Sequence, residues 1–554
     1  MAGRASRPTY RIGTRVCVEQ ELVKKTFVYN DGFTCIHGHE FWIANEIRFP
    51  DGPPPDIPET PDGVYRTNFG PCIPHTGVTF CKCNECVRIA MRRLTNSRHP
   101  DAEDPAAEER KDAANQARAF GSEEFRKPLR DFLALHIEYD DFVDHIESAV
   151  SHAADTHHKR LLRMHALEEL IDSGDIGDKL WLKSVLYKLK TTEIAKSGKY
   201  PRMIGDLGVA ASLQGFWVTM MIKKAMASED LVHGSLTARF VKTPDPFSLC
   251  ETFAQLINPA TTRFMALFSD DSCLSIRQHD GGVHMYNMDI KSCDASHTPA
   301  LFEYLIAISP GPLQAAMEVL VEQCSLPIRV VDTNDKKRVV ILRPTGPRLY
   351  SGSTLTTAIN NVANYLIALA IELQDAYSEE EIIQAARSVG YMVKLERCET
   401  YHELQFLKHS PCVDTSGIMR AVLNPGVMLR CIGSCHGDLP GRGPLRHRAE
   451  AFQKGVLRGL YPSCRFTFYD NLVKAVARAV VSDDMQAFVK KHADHLADRV
   501  EYTIADDELY RRYHLTPAEI QEINTLSKGA GFEVSLATTG LDKILNKDYE
   551  LNIQ

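Results

Sequence analysis

The chain has 554 residues, a formal net charge of −8 and an ordinary globular composition. That length allows a large core, arranged as roughly two to four domains or one multi-lobed unit. The acidic balance excludes a global basic field, so any nucleic-acid path must be a local basic groove.

The chain opens MAGRASRPTYRIGTRVCVEQ, which carries no apolar signal core, so a soluble cytosolic protein is expected. Between Pro50 and Gly63 the segment PDGPPPDIPETPDG is too proline-rich for helix or central strand and reads as a stiff exposed connection. A charged, alanine-rich stretch from Asp101 to Pro128 reads as a solvated helix or linker. Helical periodicity dominates from Asp131, with strand-like runs at 264–290 and at YMVKL. The longest nearly apolar stretch, Val362 to Leu373, is interrupted by Asn364 and falls short of the ~18 residues a membrane span needs.

Most of the 15 cysteines stand singly among apolar residues, where reduced packing thiols are the default. The exception is Cys72-x2-His75 followed by Cys81-x-Cys83-x2-Cys86, with Cys35, His37 and His39 nearby. These are enough soft ligands for one structural, tetrahedral zinc, although the spacing fits no common finger and unliganded loop thiols are the alternative.

Carboxylates gather in FMALFSDDSCLSIRQHDGGVHMYNMDIKSCDAS, from Phe264 to Ser296. Phe264 to Phe268 and Ser272 to Ile276 are strand-prone runs flanking Ser269-Asp270-Asp271, the pattern of a tight hairpin with an acidic tip. A second turn follows at HDGG, and Val283 to Ile290 is the next strand. Asp271 lies nine residues before Asp280 and Asp289 nine after it. In an antiparallel pair closed by that turn the two acids face each other, bringing Asp270, Asp271 and Asp289 to one end of a sheet. Convergent carboxylates repel unless cations intervene, and hard oxygen ligands suit Mg²⁺ or Mn²⁺. Acids that simply face water at a hairpin tip are the plainer alternative.

Asp289-x4-Asp294, then Ser351-Gly352-x3-Thr356-x3-Asn360, resembles motifs A and B of the palm of viral RNA-dependent RNA polymerases. Ser269-Asp270-Asp271 resembles motif C, and here it precedes A, an order (C-A-B) similar to that of the permuted polymerases of permutotetraviruses and birnaviruses. Lys190-x2-Glu193 and Gly198-Lys199-Tyr200-Pro201-Arg202 resemble the basic finger of motif F. Gly390 to Lys394 resembles motif D, and Phe406-Leu407-Lys408 the motif E turn. His436-Gly437-Asp438 stands where an unpermuted enzyme would keep its acids, but the following Leu-Pro-Gly-Arg-Gly breaks a second hairpin strand, so Asp438 is read as a loop acid.

The resemblance implies an α+β, right-hand polymerase. Its parts would be an N-terminal extension (1–125), fingers (126–260), palm with motifs C and A (261–310), a fingers insertion (311–345), palm with motifs B, D and E (346–412), and a helical thumb with a C-terminal tail (413–554). It implies two Mg²⁺ or Mn²⁺ ions on Asp270, Asp271 and Asp289, with Asp270 and Asp289 as direct ligands. Asp294 and Asn360 would read the ribose, aided by the Ser351-Gly352 loop and Thr356, and Lys199 and Arg202 would neutralise phosphates. Lys394 is the candidate general acid. Implied partners are template and product RNA and nucleoside triphosphates, in host cytoplasm or with the virion. A metal-dependent nuclease could use the same carboxylates, and a non-catalytic RNA-binding scaffold could retain the fold.

Overall fold

The computed structural model describes residues 79–553 apart from 139–156, 175–179, 191–192, 242–244, 338, 437–438, 442–443, 461–464, 493–501, 529–535 and 552. Before residue 79 it describes 15–18, 33–35, 41–42, 46–47 and 66–68. Two sheets organise this chain. Their strands, in chain order, are β1 (Phe33–Cys35), β2 (Val185–Leu189), β3 (Met203–Asp206), β4 (Leu231–His233), β5 (Leu236–Phe240), β6 (Arg263–Phe268), β7 (Asp271–Arg277), β8 (Val283–Ile290), β9 (Ile328–Val331), β10 (Val339–Pro344) and β11 (Val393–Cys398).

The larger sheet runs β11-β8-β7-β6-β5-β4. Its pairs are antiparallel except for parallel β5 and β6. Strand alternation sorts its side chains between two cores. Phe264, Ala266 and Cys273 point to a cluster with Leu249, Phe253 and Leu256 of the helix Pro246–Ile257 and with Phe406. Met265, Leu267, Leu274, Ile276, Tyr286, Met288 and Ile290 point the other way, onto the helices Pro299–Ile308 and Thr356–Leu373. Because β6 is covered on both faces, it reads as a continuous apolar run rather than an alternating one.

Every residue of the helix Thr356–Leu373 from Ala358 to Ile371 is buried. Such a helix is apolar all round, so its three buried asparagines, Asn360, Asn361 and Asn364, each need a partner. At the far end, buried Arg263 bonds Glu372 and Asp375, each at 2.8 Å, tying the helix C-terminus to the start of β6.

The smaller sheet runs β1-β10-β9-β2-β3. Residues 190–202 connect its antiparallel strands β2 and β3, and Lys190 N–H donates to the Arg202 carbonyl at 2.8 Å across the base of that loop. The C-terminal region from the helix Pro425–Gly433 to the helix Thr539–Tyr549 is mainly helical and has its own core. No helix among the described residues is long and apolar enough to cross a membrane.

The charged stretch after Asp101 differs from the solvated expectation. It forms the helix Pro105–Phe120, whose Asp112, Gln116, Ala119 and Phe120 are buried. Gln116 donates to the Ser296 carbonyl at 2.8 Å and accepts from the Thr298 hydroxyl at 2.7 Å, bracing the segment after β8. Gly390 permits the close approach: a Cβ there, at φ 78°, would lie 2.5 Å from the Asp112 carbonyl oxygen. Composition alone hid this, because small residues look solvated until a partner fills the space beside them.

Candidate active site

The turn at Ser269-Asp270 is two residues long, since Phe268 pairs with Asp271. Ser269 adopts φ 55°, a conformation that suits two-residue hairpins and that glycine would enter without strain. A serine there costs roughly 1–2 kcal/mol. The helix behind the sheet offsets that cost. Asn361 Oδ1 accepts from the Ser269 N–H at 2.6 Å, and Asn364 Nδ2 donates to the Ser269 carbonyl at 2.6 Å. Asn360 Nδ2 reaches the Ser269 hydroxyl at 3.4 Å.

Asp271 is the register partner of Asp289, and Asp289 that of Lys394 on β11, as the count from Asp280 requires for the first pair. Directly opposed residues share a face, so Asp271, Asp289 and Lys394 form one row across three strands. Asp271 Oδ2 accepts the Leu407 N–H at 2.7 Å from a tight turn in which Leu407 and Lys408 both have positive φ. That turn is docked on the sheet by Asn287, two residues before Asp289. Its amide accepts from Gln405 N–H and donates to the Glu403 carbonyl, each at 2.9 Å.

Burial and mutual repulsion set the electrostatics. Desolvation, then the charges of Asp270 and Asp289, push Asp271 up to about 7 against the pull of the Leu407 amide. Asp289 rises to about 6 from desolvation, Asp270 and Glu550, with Lys394 and Arg202 opposing. Asp270 is also raised, by desolvation and then by Asp294, while Arg202 and Lys190 hold it down. Asp270 and Asp289 keep an exposed face, and the protein around them removes much of the remaining hydration. Their oxygens and those of Asp271 do not all fall within 4.8 Å of one another, as four cysteine sulfurs do elsewhere among the described residues.

Asp294 lies in the helical turn Cys293–Ser296 and accepts from Asn360 Nδ2 at 3.2 Å. Asn360 Oδ1 meets His297 Nε2 at 2.7 Å, and His297 Nδ1 meets the Tyr391 hydroxyl at 3.0 Å. Burial pushes His297 down to about 4, so it is neutral near pH 7. A neutral ring that donates from Nε2 and accepts at Nδ1 orients the Asn360 amide so that its N–H₂ faces Asp294.

Ser351-Gly352 packs against β3. The Ser351 carbonyl accepts from Gly205 N–H at 2.7 Å, and a Cβ on Gly352, at φ 99°, would lie 2.4 Å from the Gly205 oxygen. The Thr356 hydroxyl is turned inward, donating to the Ser353 carbonyl at 2.8 Å, so only Asn360 of that helix face reaches Asp294. In the 190–202 loop, exposed Arg202 pairs with Glu193 at 3.2 Å and exerts its charge on Asp270, Asp289 and Asp294. Lys199 is exposed on the same loop.

Several contributors lie outside the sequence motifs. Asn361 and Asn364 hold the hairpin tip. Arg93, from the helix Asn84–Thr95, donates to the Tyr200 carbonyl at 2.6 Å and places its charge near Asp294. Glu550, just after the helix Thr539–Tyr549, pairs with Lys394 at 3.5 Å and with Lys196 at 3.9 Å. Of the expected cysteine and histidine ligands, Cys81, Cys83 and Cys86 cluster together, joined by Cys17, which the sequence pattern did not include. Cys72, His75, His37 and His39 lie outside the described residues, and Cys35 belongs to β1. Gly437 and Asp438 also lie outside them, while His436 ends the short strand Ser434–His436.

The geometry defines a row of carboxylates at one end of the larger sheet, beside a half-buried carboxylate bonded to a buried amide. No family model matches the chain, and no curated protein matches it. Among solved structures, it is similar to the birnavirus VP1–VP3 complex, with 14% identity and a TM-score of 0.38. It is similar also to the RNA polymerase VP1 from Infectious Pancreatic Necrosis Virus, with 13% identity and a TM-score of 0.36. Each alignment covers 58% of this chain and 46% of the other, so the chain spans about half the length of the solved chains it matches.

Proposed function

We propose that the chain is an RNA-directed RNA polymerase whose larger sheet is the palm, whose smaller sheet and 190–202 loop belong to the fingers, and whose C-terminal helices form the thumb. The observation that carries this reading is the register pairing of Asp271 with Asp289 beside the Asp294–Asn360 hydrogen bond. It supports a palm in which motif C precedes A and B in the chain.

The donors suit hard divalent ions. Asp270, Asp271 and Asp289 are all carboxylates, their pKa values are raised by desolvation and by neighbouring carboxylates, and the nearby cations only partly compensate. When bound, Mg²⁺ or Mn²⁺ would supply activation of the attacking hydroxyl and stabilisation of the leaving oxygen. The reaction is attack of an RNA 3′-hydroxyl on the α-phosphate of a nucleoside triphosphate, with release of pyrophosphate.

Asp270 and Asp289 would hold the ions directly, and Asp271, with one oxygen engaged by Leu407, would complete the set while fixing the adjoining turn. Arg202 and Lys199 grip the triphosphate, the first with a fork that can bind two oxygens. Asn360 and Asp294 bind the ribose hydroxyls. A site built to bond a hydroxyl discriminates strongly against its absence, because its polar groups are then left unpaired. Lys394, in line with Asp289, donates a proton to the departing pyrophosphate. A nuclease could use the aspartates but has no need of the Asp294–Asn360 pair.

Purified chain given an RNA template, Mg²⁺ or Mn²⁺ and labelled ribonucleotides extends a strand. The double substitution Asp270→Asn, Asp271→Asn abolishes extension, a loss of at least about 10³-fold. Full extension by that double variant overturns the assignment of the tip, and shortening of the RNA without extension points to a nuclease.

A further inference from the structure

We propose that Cys17, Cys81, Cys83 and Cys86 bind one structural zinc ion, and that this knot fixes the helix Asn84–Thr95 beneath the 190–202 loop. The second half of the proposal rests on the polymerase reading of that loop; the first does not.

The four sulfurs are unpaired by disulfides and all lie within 4.8 Å of one another. Neighbouring sulfurs are 3.2 Å apart for Cys17–Cys81, 3.8 Å for Cys17–Cys83, 3.0 Å for Cys81–Cys83 and 3.5 Å for Cys81–Cys86. A Zn–S bond of about 2.3 Å in a tetrahedron sets an S···S edge of roughly 3.8 Å. The set is therefore the size of a mononuclear site, slightly contracted, and too small to enclose a multi-iron cluster. Thiols packed merely as apolar groups have no reason to converge on one point from two distant segments.

Two features build the site. A parallel pairing, Arg15 with Thr79 and Val16 with Phe80, carries Cys17 alongside Cys81. Cys83 is the N-cap of the helix Asn84–Thr95, and its sulfur accepts the Cys86 N–H at 3.5 Å. That bond fixes the Cys83 sulfur at the N-terminus of the helix. Cys83 and Cys86 are buried with Val18 and Ile89, and Leu189 and Tyr200 at the two ends of the fingers loop pack on the same cluster. Arg93, near the helix C-terminus, bonds the Tyr200 carbonyl and bears on Asp294. The ion would thus anchor a helix that props the nucleotide-gripping loop.

The test uses the full chain purified without chelator. Elemental analysis finds close to one zinc per chain, and cobalt exchanged for it shows the thiolate charge-transfer and tetrahedral ligand-field absorption of a Cys₄ site. Cys17→Ser, at the exposed ligand, weakens zinc binding by at least the roughly 10–100-fold that loss of an outer partner costs, and Cys17→His, which restores a ligand, recovers most of it. Absence of zinc, with all four thiols freely titratable or paired as disulfides, overturns the site, as does iron in its place. Hydrogen exchange separates the second half. Chelation accelerates exchange in 84–95 and 193–202 while β6–β8 stay protected. Zinc release with no change in those segments overturns the propping role but leaves the metal site standing, and neither outcome depends on polymerase activity.

Discussion

The carboxylate turn at 269–271 is gripped by three buried asparagines, whereas the basic loop at 190–202, whose Lys190 and Arg202 act on Asp270, is closed by a Lys190–Arg202 backbone bond and otherwise tied by the Arg202–Glu193 and Lys196–Glu550 ion pairs and the Arg93–Tyr200 bond. The difference is one of replaceability. Asn361 and Asn364, buried and bonded to the turn's backbone, hold the aspartates in one geometry. A solvent-facing Arg–Glu pair contributes only about 0–1 kcal/mol, so in the proposed polymerase Arg202 would exchange Glu193 for a triphosphate at little cost. On that reading, groups that would hold the ions are fixed, and groups that would catch and release substrate are not.

Substitution on each side breaks the comparison most sharply. Asn364→Ala leaves the Ser269 carbonyl buried without its donor and lowers stability by about 1–3 kcal/mol. It also frees the tip to wander, and displacement of reacting groups by about 1 Å can lower the rate on the order of 10²-fold. Chemical denaturation and single-nucleotide extension measure the two losses. Arg202→Ala should behave in the opposite way, with stability within about 0.5 kcal/mol of the parent and a raised apparent KM for nucleotide. A fold loss at Arg202, or unchanged extension rates for Asn364→Ala, would erase the contrast.

A smaller effect tests the fixed side through its charge. Asp271 and Asp289 have folded pKa values above those of the unfolded chain, so the folded state retains protons that the unfolded state releases. Stability from this source is intact below the unfolded value, falls as pH rises from about 4, and reaches its full deficit above about 7. Divalent ions remove that deficit and compete with the same protons. The thermal shift produced by Mn²⁺ is therefore expected to be small near pH 5 and larger by a few degrees near pH 8. A shift independent of pH would place ion binding elsewhere.

Short-range chemistry made the carboxylate-bearing hairpins legible in the sequence, and distance in the chain concealed their supports. The three strands and the opposition of Asp271 and Asp289 follow from alternation and two short turns, because a hairpin leaves little freedom of register. Asn364 was visible only as a flaw in an apolar run. Its role required knowing that the helix crosses behind the hairpin tip, although three asparagines within five positions of a wholly buried helix are themselves a signal. Cys17 joins the other thiols through a parallel pairing across more than sixty residues, a link that no local spacing encodes. The fold class was approached through motif order, whereas the packing of the helix Pro105–Phe120 against the segment after β8 depends on Gly390 and on complementary surfaces.

Glu550 refines the comparison at its weakest contact. It sits at φ 51° just past the helix Thr539–Tyr549 and bridges Lys394 of the palm to Lys196 of the loop, so a single carboxylate spans the fixed and exchangeable sides. The same charge helps raise Asp289. If Lys394 is the proposed proton donor to pyrophosphate, its pairing with Glu550 competes with that role, so Glu550→Gln should speed single-nucleotide addition. The gain is at most about fivefold, the rate equivalent of the ~1 kcal/mol ceiling for an exposed pair, and it should shrink as salt screens the parent. Rapid-quench measurement in the parent and in a Lys394→Met background decides the matter. If the gain persists without Lys394, Glu550 acts through Asp289 or Lys196 instead, and if the rate falls, the tail holds the lysine in its working position rather than away from it.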